Sequence, residues 1–141
     1  MPTIRDTDLL IKIGAAGFCH TDYQVFQGVY GSKCPLTPSH EPVGTVVSIG
    51  SKAAASGKWR EGQRVGVLNF RHACGRCVNC EAGFDVRFCE NKEMAGILHD
   101  GGFAEYMVAD PQYTVLLPES VSFEQGAPLM CAGVSEERLL Y

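Results

Sequence analysis

The chain is 141 residues long and 45% apolar, with 12 basic against 16 acidic residues and a formal charge of −4. That length closes one modest core, so one domain is expected, and the slight acidic excess argues against nucleic acid or an anionic membrane as partner. No apolar run approaches the roughly 20 residues that span a bilayer.

Met1 leads into Pro2-Thr3-Ile4-Arg5-Asp6, which has neither a basic stretch nor an apolar one, so no secretory leader is expected. Asp8 to Ala16 places Leu9, Ile11 and Ile13 on one period-2 face and Lys12 on the other, the pattern of a strand. Gly17-Phe18 breaks that pattern, and Tyr23 to Gln27 reads as a short helical turn. Pro42 to Ile49 is a β-branched run closed by Gly50, and the small, polar stretch Ser51 to Trp59 reads as a surface loop. Further strands are expected at Gln63–Leu68, Gly102–Ala109 and Tyr113–Leu117. Ser122 with Gln125 forms a capping-box signature for a short helix whose length Pro128 limits. Sixteen glycines and seven prolines punctuate these short elements, as in a mainly β chain that forms a barrel or an irregular sandwich.

The chemistry concentrates in the seven cysteines. Cys74-Gly-Arg-Cys77-Val-Asn-Cys80 with Cys89 nearby brings four thiolates close enough to surround one tetrahedral ion. Zinc suits such a set, because it accepts four sulfurs at about 2.3 Å and has no redox chemistry of its own. A site closed by four protein ligands is structural. A secreted disulfide framework is the competing reading, but the absence of a leader and the clustered Cys-x2-Cys spacing favour reduced thiols on a metal, and hence a cytoplasmic protein. Cys19, His40-Glu41 and Cys131 form a second constellation. Their residue types suit a catalytic zinc, which keeps three protein ligands and one open position, yet their distance in sequence leaves them unlinked by spacing alone. Cys34 belongs to neither set.

Gly17-Phe18-Cys19-His20-Thr21-Asp22, Ser39-His40-Glu41-Pro42-Val43-Gly44 and Gly62-Gln63-Arg64-Val65-Gly66-Val67 occur in that order. They are followed by the four-Cys lobe, Asp100-Gly101-Gly102-Phe103-Ala104-Glu105-Tyr106, and Ala127-Pro128-Leu129-Met130-Cys131-Ala132-Gly133. From about residue 8 to 134 the chain thus resembles the GroES-like catalytic domain of the zinc-dependent alcohol dehydrogenases, in the medium-chain dehydrogenase/reductase superfamily. The resemblance implies a mainly β, partly open barrel with short helices and a zinc-binding lobe. It implies two zinc ions, one held by Cys19, His40 and Cys131 and one by Cys74, Cys77, Cys80 and Cys89. By the same resemblance Thr21 is the hydroxyl that accepts the alcohol's proton, and Asp22 orients the ligating histidine. Glu41 is a carboxylate close to the metal and an occasional ligand, and His20 contacts the pyrophosphate of NAD. The implied reaction is oxidation of a small primary alcohol to an aldehyde by a family that is usually homo-oligomeric.

The chain departs from that family in several places. Gln24 stands where many relatives have a histidine, so a proton relay from Thr21 would run through water or a coenzyme hydroxyl. Eight residues separate Cys80 from Cys89, one more than the common spacing. Asn69 aligns with an aromatic that often lines the substrate pocket, with Phe70 beside it. No Gly-x-Gly-x-x-Gly follows a strand, so an NAD-binding Rossmann domain is absent from the sequence as read. The expected organisation is a catalytic domain over 1–134, short at its N-terminus, with a divergent tail at 135–141. This is the organisation of a catalytic-domain fragment that turns over only within a complete enzyme. A stand-alone zinc-binding module or pseudoenzyme is the alternative, and a thiol-based redox switch the more distant one.

Overall fold

The computed structural model describes residues 1–82 and 88–133. The expected tail at 135–141, the domain limit at residue 134 and the centre of the Cys80–Cys89 spacer lie outside the described residues.

The strand β1 (Leu9–Ala16) is interior to the sheet, paired on both sides. Leu9 and Ile11 are fully buried and Leu10 is 4% exposed, so successive side chains are covered on both faces at the start of the strand, where simple alternation predicts only one. β2 (Pro42–Ile49) runs antiparallel to it, from Leu9↔Ile49 to Ala16↔Pro42. β3 (Arg64–Val67) and β7 (Thr114–Leu116) extend the sheet on one side, and β6 (Tyr106–Ala109) pairs with β1 on the other. The order is β6-β1-β2-β3-β7, antiparallel throughout, with β6 and β7 as edges. This is the partly open, mainly β architecture expected.

Two apolar clusters hold the sheet. Leu9, Ile11, Val46, Val65, Val67, Trp59 and Met107 form one. Val43, Leu117, Ala127 and Met130 form the other, under α4 (Phe123–Pro128), which opens with the expected Ser122–Gln125 capping box. At Pro128 the missing N–H ends regular winding, and residues Leu129–Gly133 continue as a wider π-type turn that carries Cys131.

Three segments differ from expectation. Ser51–Trp59 contains α2 (Ser51–Ala55), and Trp59 is only 4% exposed. The Ala53-Ala54-Ala55 run favours helix, and the Lys52 and Ala53 N–H groups donate to Asp6 O at 2.9 and 3.1 Å, pinning the helix start. α1 spans His20–Phe26 rather than opening at Tyr23, because Cys19 and Asp22 make a capping box one turn earlier. The strand expected from Gly102 is confined to Tyr106–Ala109. Upstream of it, the N–H groups of Gly101, Gly102 and Phe103 donate to Thr37, Ser39 and Pro38 O at 2.8, 2.8 and 3.1 Å, which buttresses the turn before His40. The lobe leaves the sheet through β4 (Phe70–Arg71) and returns through β5 (Glu93–Met94), with the short helix α3 (Val78–Glu81) between them. No helix among the described residues is long and apolar enough to cross a membrane.

Candidate metal centres

The first centre begins at the N-terminus of α1. Cys19 is its N-cap, with extended backbone at φ −129° and ψ −178°. Its sulfur accepts the Thr21 N–H at 3.3 Å, and its own N–H donates to Asp22 Oδ2 at 2.9 Å. This reciprocal cap satisfies helix-end donors and fixes where the sulfur points. Asp22 Oδ1 accepts the Ser39 N–H at 2.9 Å, so one buried carboxylate ties the Cys19 turn to the segment leading into His40. Ser39 takes a left-handed φ of 74°, is fully buried and donates its hydroxyl to Gly17 O at 2.8 Å. Gly17 in turn leaves room for Glu41, whose carboxylate occupies the place of a β-carbon there.

These constraints converge on four side chains. Cys19, His40, Glu41 and Cys131 each place a ligand atom within 4.8 Å of all the others. His40 Nε2 lies 3.4 Å from Cys19 Sγ and 3.4 Å from Cys131 Sγ, and 3.9 Å from Glu41 Oε1. Tetrahedral zinc bound at about 2.3 Å to sulfur and 2.0–2.1 Å to nitrogen requires sulfur–nitrogen separations of roughly 3.6 Å. The donor set therefore fits such an ion. Burial pushes the Cys131 thiol up to about 11, reinforced by Cys19 and Glu41. A cation among them reverses that balance.

The expected roles map unevenly onto this geometry. Asp22 stands 3.9 Å from His40 Nδ1, too long for a hydrogen bond. Nδ1 is buried without a hydrogen-bond partner among the described residues, and the carboxylate holds the backbone on both sides of the site. Thr21 adjoins the centre through its N–H to the Cys19 sulfur. His20 is exposed at the start of α1, its ring 6.0 Å from that of Tyr23. Cys34 is exposed, outside both groups. Ser39 was not singled out by sequence; its only signal is its place before His40.

The second centre is the lobe. Cys74, Cys77, Cys80 and Cys89 also lie within 4.8 Å of one another. Cys74 and Cys89 sulfurs are 3.6 Å apart, against about 3.8 Å in a tetrahedral four-sulfur site. The Cys74 N–H donates to Cys89 Sγ at 3.4 Å, and Asn91 Nδ2 donates to Cys74 Sγ at 3.8 Å. The Arg76 backbone N–H brings the Cys74 thiol down to about 6, whereas the neighbouring Cys77 pushes Cys80 up to about 12. Four like donors crowded together separate in this way until a cation balances them. All seven cysteines are thiols, not disulfides.

Residues 5–119 match the family model described as the alcohol dehydrogenase GroES-like domain. The chain belongs to that family. Within it, the chain is 38% identical over 141 residues to an alcohol dehydrogenase of Geobacillus stearothermophilus, covering 99% of this chain and 41% of the relative. Among solved structures, CAD from Helicobacter pylori complexed with NADP(H) superposes with a TM-score of 0.84 at 27% identity, over 98% of this chain and 42% of that one. The D-arabinose dehydrogenase of Sulfolobus solfataricus superposes with a TM-score of 0.81 at 34% identity, over 94% and 40%. The chain thus spans about two fifths of the length of these alcohol dehydrogenase GroES-like relatives.

Proposed function

We propose that residues 1–134 are the catalytic domain of a zinc-dependent alcohol dehydrogenase of the cytoplasm that oxidises a small primary alcohol to an aldehyde with NAD in the complete enzyme. The observation that carries this reading is the convergence of Cys19, His40 and Cys131, from three remote segments, at separations that suit tetrahedral zinc. Such a metal, when bound, acts as a Lewis acid that lowers the pKa of an alcohol hydroxyl. Cys19, His40 and Cys131 hold it and leave a fourth position for substrate. Glu41 stands beside them as a further carboxylate, and Asp22 fixes the Cys19 and Ser39 backbones. The Thr21 hydroxyl, both donor and acceptor, takes the alcohol's proton and passes it toward solvent. His20, exposed beside the site, is suited to a phosphate of the coenzyme. Cys74, Cys77, Cys80 and Cys89 hold a second zinc with no open position, which supports the lobe rather than the reaction.

Hydride transfer also requires a nicotinamide held against the alcohol. The sheet is antiparallel throughout, and no parallel βαβ unit occurs among the described residues. The 141-residue chain assayed alone with NAD and ethanol is therefore expected to form no reduced nicotinamide above background. The decisive test joins it to the coenzyme-binding part of the Geobacillus relative. Alcohol-dependent NAD reduction that disappears in Cys19→Ser supports the reading. A folded, zinc-loaded fusion without activity on any primary alcohol would leave a zinc-binding module as the better description.

A further inference from the structure

At the root of the lobe β4 and β5 pair with each other through Phe70↔Met94 and Arg71↔Glu93, in a two-stranded ribbon separate from the five-stranded sheet. So short a pair of strands does not hold its own position in water. The additional restraint is polar and lies at the root of the lobe. Arg71 Nε donates to Glu93 Oε2 at 2.8 Å, and Arg71 Nη1 to Val108 O at 3.3 Å. The next residue, His72, adopts a left-handed φ of 50°, a conformation that costs a residue with a β-carbon and persists only where the surroundings enforce it. Its N–H donates to Asp110 Oδ2 at 3.0 Å. Its ring lies between two carboxylates at ion-pair range, Nε2 3.2 Å from Asp8 Oδ1 and Nδ1 3.7 Å from Asp110 Oδ2, with no hydrogen bond to Nε2 among the described residues.

Both carboxylates are anchored. Asp8, 1% exposed, heads β1 and accepts the Arg5 N–H at 3.0 Å and the Thr7 hydroxyl at 3.1 Å. Asp110 follows β6 and accepts the Gln112 N–H at 2.8 Å. Since β1 and β6 are paired neighbours through Leu9↔Ala109, the imidazole is wedged between the ends of two adjacent sheet strands. Two residues later the chain reaches Cys74, whose sulfur lies 3.6 Å from that of Cys89.

We propose that His72 is a positioning residue for the four-thiol site: by locking the turn between β4 and Cys74 onto Asp8 and Asp110, it aims the first ligand at the other three. This rests on the reading of the lobe as a zinc site. The sheet already sets the places of Asp8 and Asp110, so the ring ties the start of the lobe to the sheet.

The test uses the full 141-residue chain carrying Cys131→Ser, so that the lobe is the site observed. Zinc release to excess chromogenic chelator is timed by stopped flow, and the cobalt(II) spectrum reports the geometry of the sulfur ligands. His72→Ala is expected to release zinc about tenfold faster or more, the usual penalty for losing a residue that orients a ligand, and to perturb the cobalt bands. His72→Gln, which keeps a polar group between the two carboxylates, should recover part of the retention. A lower melting temperature with unchanged release rate and unchanged cobalt spectrum would reduce His72 to a fold-stabilising residue and overturn the proposal. If the His72 variants do not fold, Asp110→Asn decides: its single carbonyl oxygen can accept the His72 or the Gln112 N–H but not both, and the charge facing the ring is lost. A several-fold faster release supports the proposal, and an unchanged rate overturns it. A parent chain whose lobe takes up neither metal overturns the zinc reading, and this proposal falls with it.

Discussion

Asp22 shows how one carboxylate can organise the backbone on both sides of a site. Both of its oxygens accept backbone N–H groups, from Cys19 and Ser39, at 3% exposure. In Asp22→Asn the amide nitrogen must face one of those donors, leaving a buried N–H unpaired. The substitution is expected to cost about 1–3 kcal/mol, read from urea unfolding, and to weaken metal binding at Cys19 and His40. A second expectation concerns pH. The Cys131 thiol, pushed up to about 11 by burial and by Cys19 and Glu41, is protonated at neutral pH when no cation is bound. Zinc must displace that proton, so binding at this centre weakens as pH falls, by about tenfold per pH unit for each proton released. Calorimetric titrations in buffers of different ionisation enthalpy count those protons, and a result of zero would contradict the geometry. At this scale Cys19, His40, Glu41 and Cys131 were legible, because their flanking motifs are distinctive. Ser39 was not, because a left-handed serine leaves no signature in composition or periodicity.

Elements show where local rules prevail and where they yield. β2 was legible end to end from its β-branched run, and α4 from its capping box. α2 was not, since a five-residue helix has too few positions for an apolar period and owes its start to Asp6, remote from any pattern within it. Gly44 belongs to this level as well. A β-carbon there would run into Lys12 O on the paired strand β1, and backbone cannot step aside as a flexible side chain can. Gly44→Ala is expected to destabilise the chain by roughly 1–3 kcal/mol, the range for overpacking, as measured by thermal or denaturant unfolding. Gly66→Ala should be milder, because the atoms met there belong to the Met130 side chain. Equal losses for the two would remove the distinction between rigid and yielding neighbours.

For the whole molecule, the two centres add the Cys19 turn and the lobe cysteines to what the apolar clusters hold. The sheet order β6-β1-β2-β3-β7 could not be read from periodicity, which identifies strands but not their partners. Family motifs located the ligand residues, while the pairing that brings them together comes from long-range register. Metal removal is therefore expected to lower the melting temperature. An ion present at 100 times its dissociation constant stabilises the native state by about 2.7 kcal/mol, and scanning calorimetry with and without chelator measures the difference. An unchanged transition would count against both centres.

The separation of ligands along the chain also sets an order of assembly. Cys74 and Cys89 are 15 residues apart, whereas His40 and Cys131 are 91 apart. Closing the longer loop costs on the order of 1.5 kcal/mol more in chain entropy. On the ribosome the contrast is sharper, because the four-thiol set is complete once Cys89 has emerged, while the Cys19–His40–Cys131 centre must wait until the π-type turn around Cys131 clears the exit tunnel. On the proposed reading, the lobe can capture an ion while residues beyond Cys89 are still being made, and the Cys19–His40–Cys131 centre completes only after the strands of the sheet.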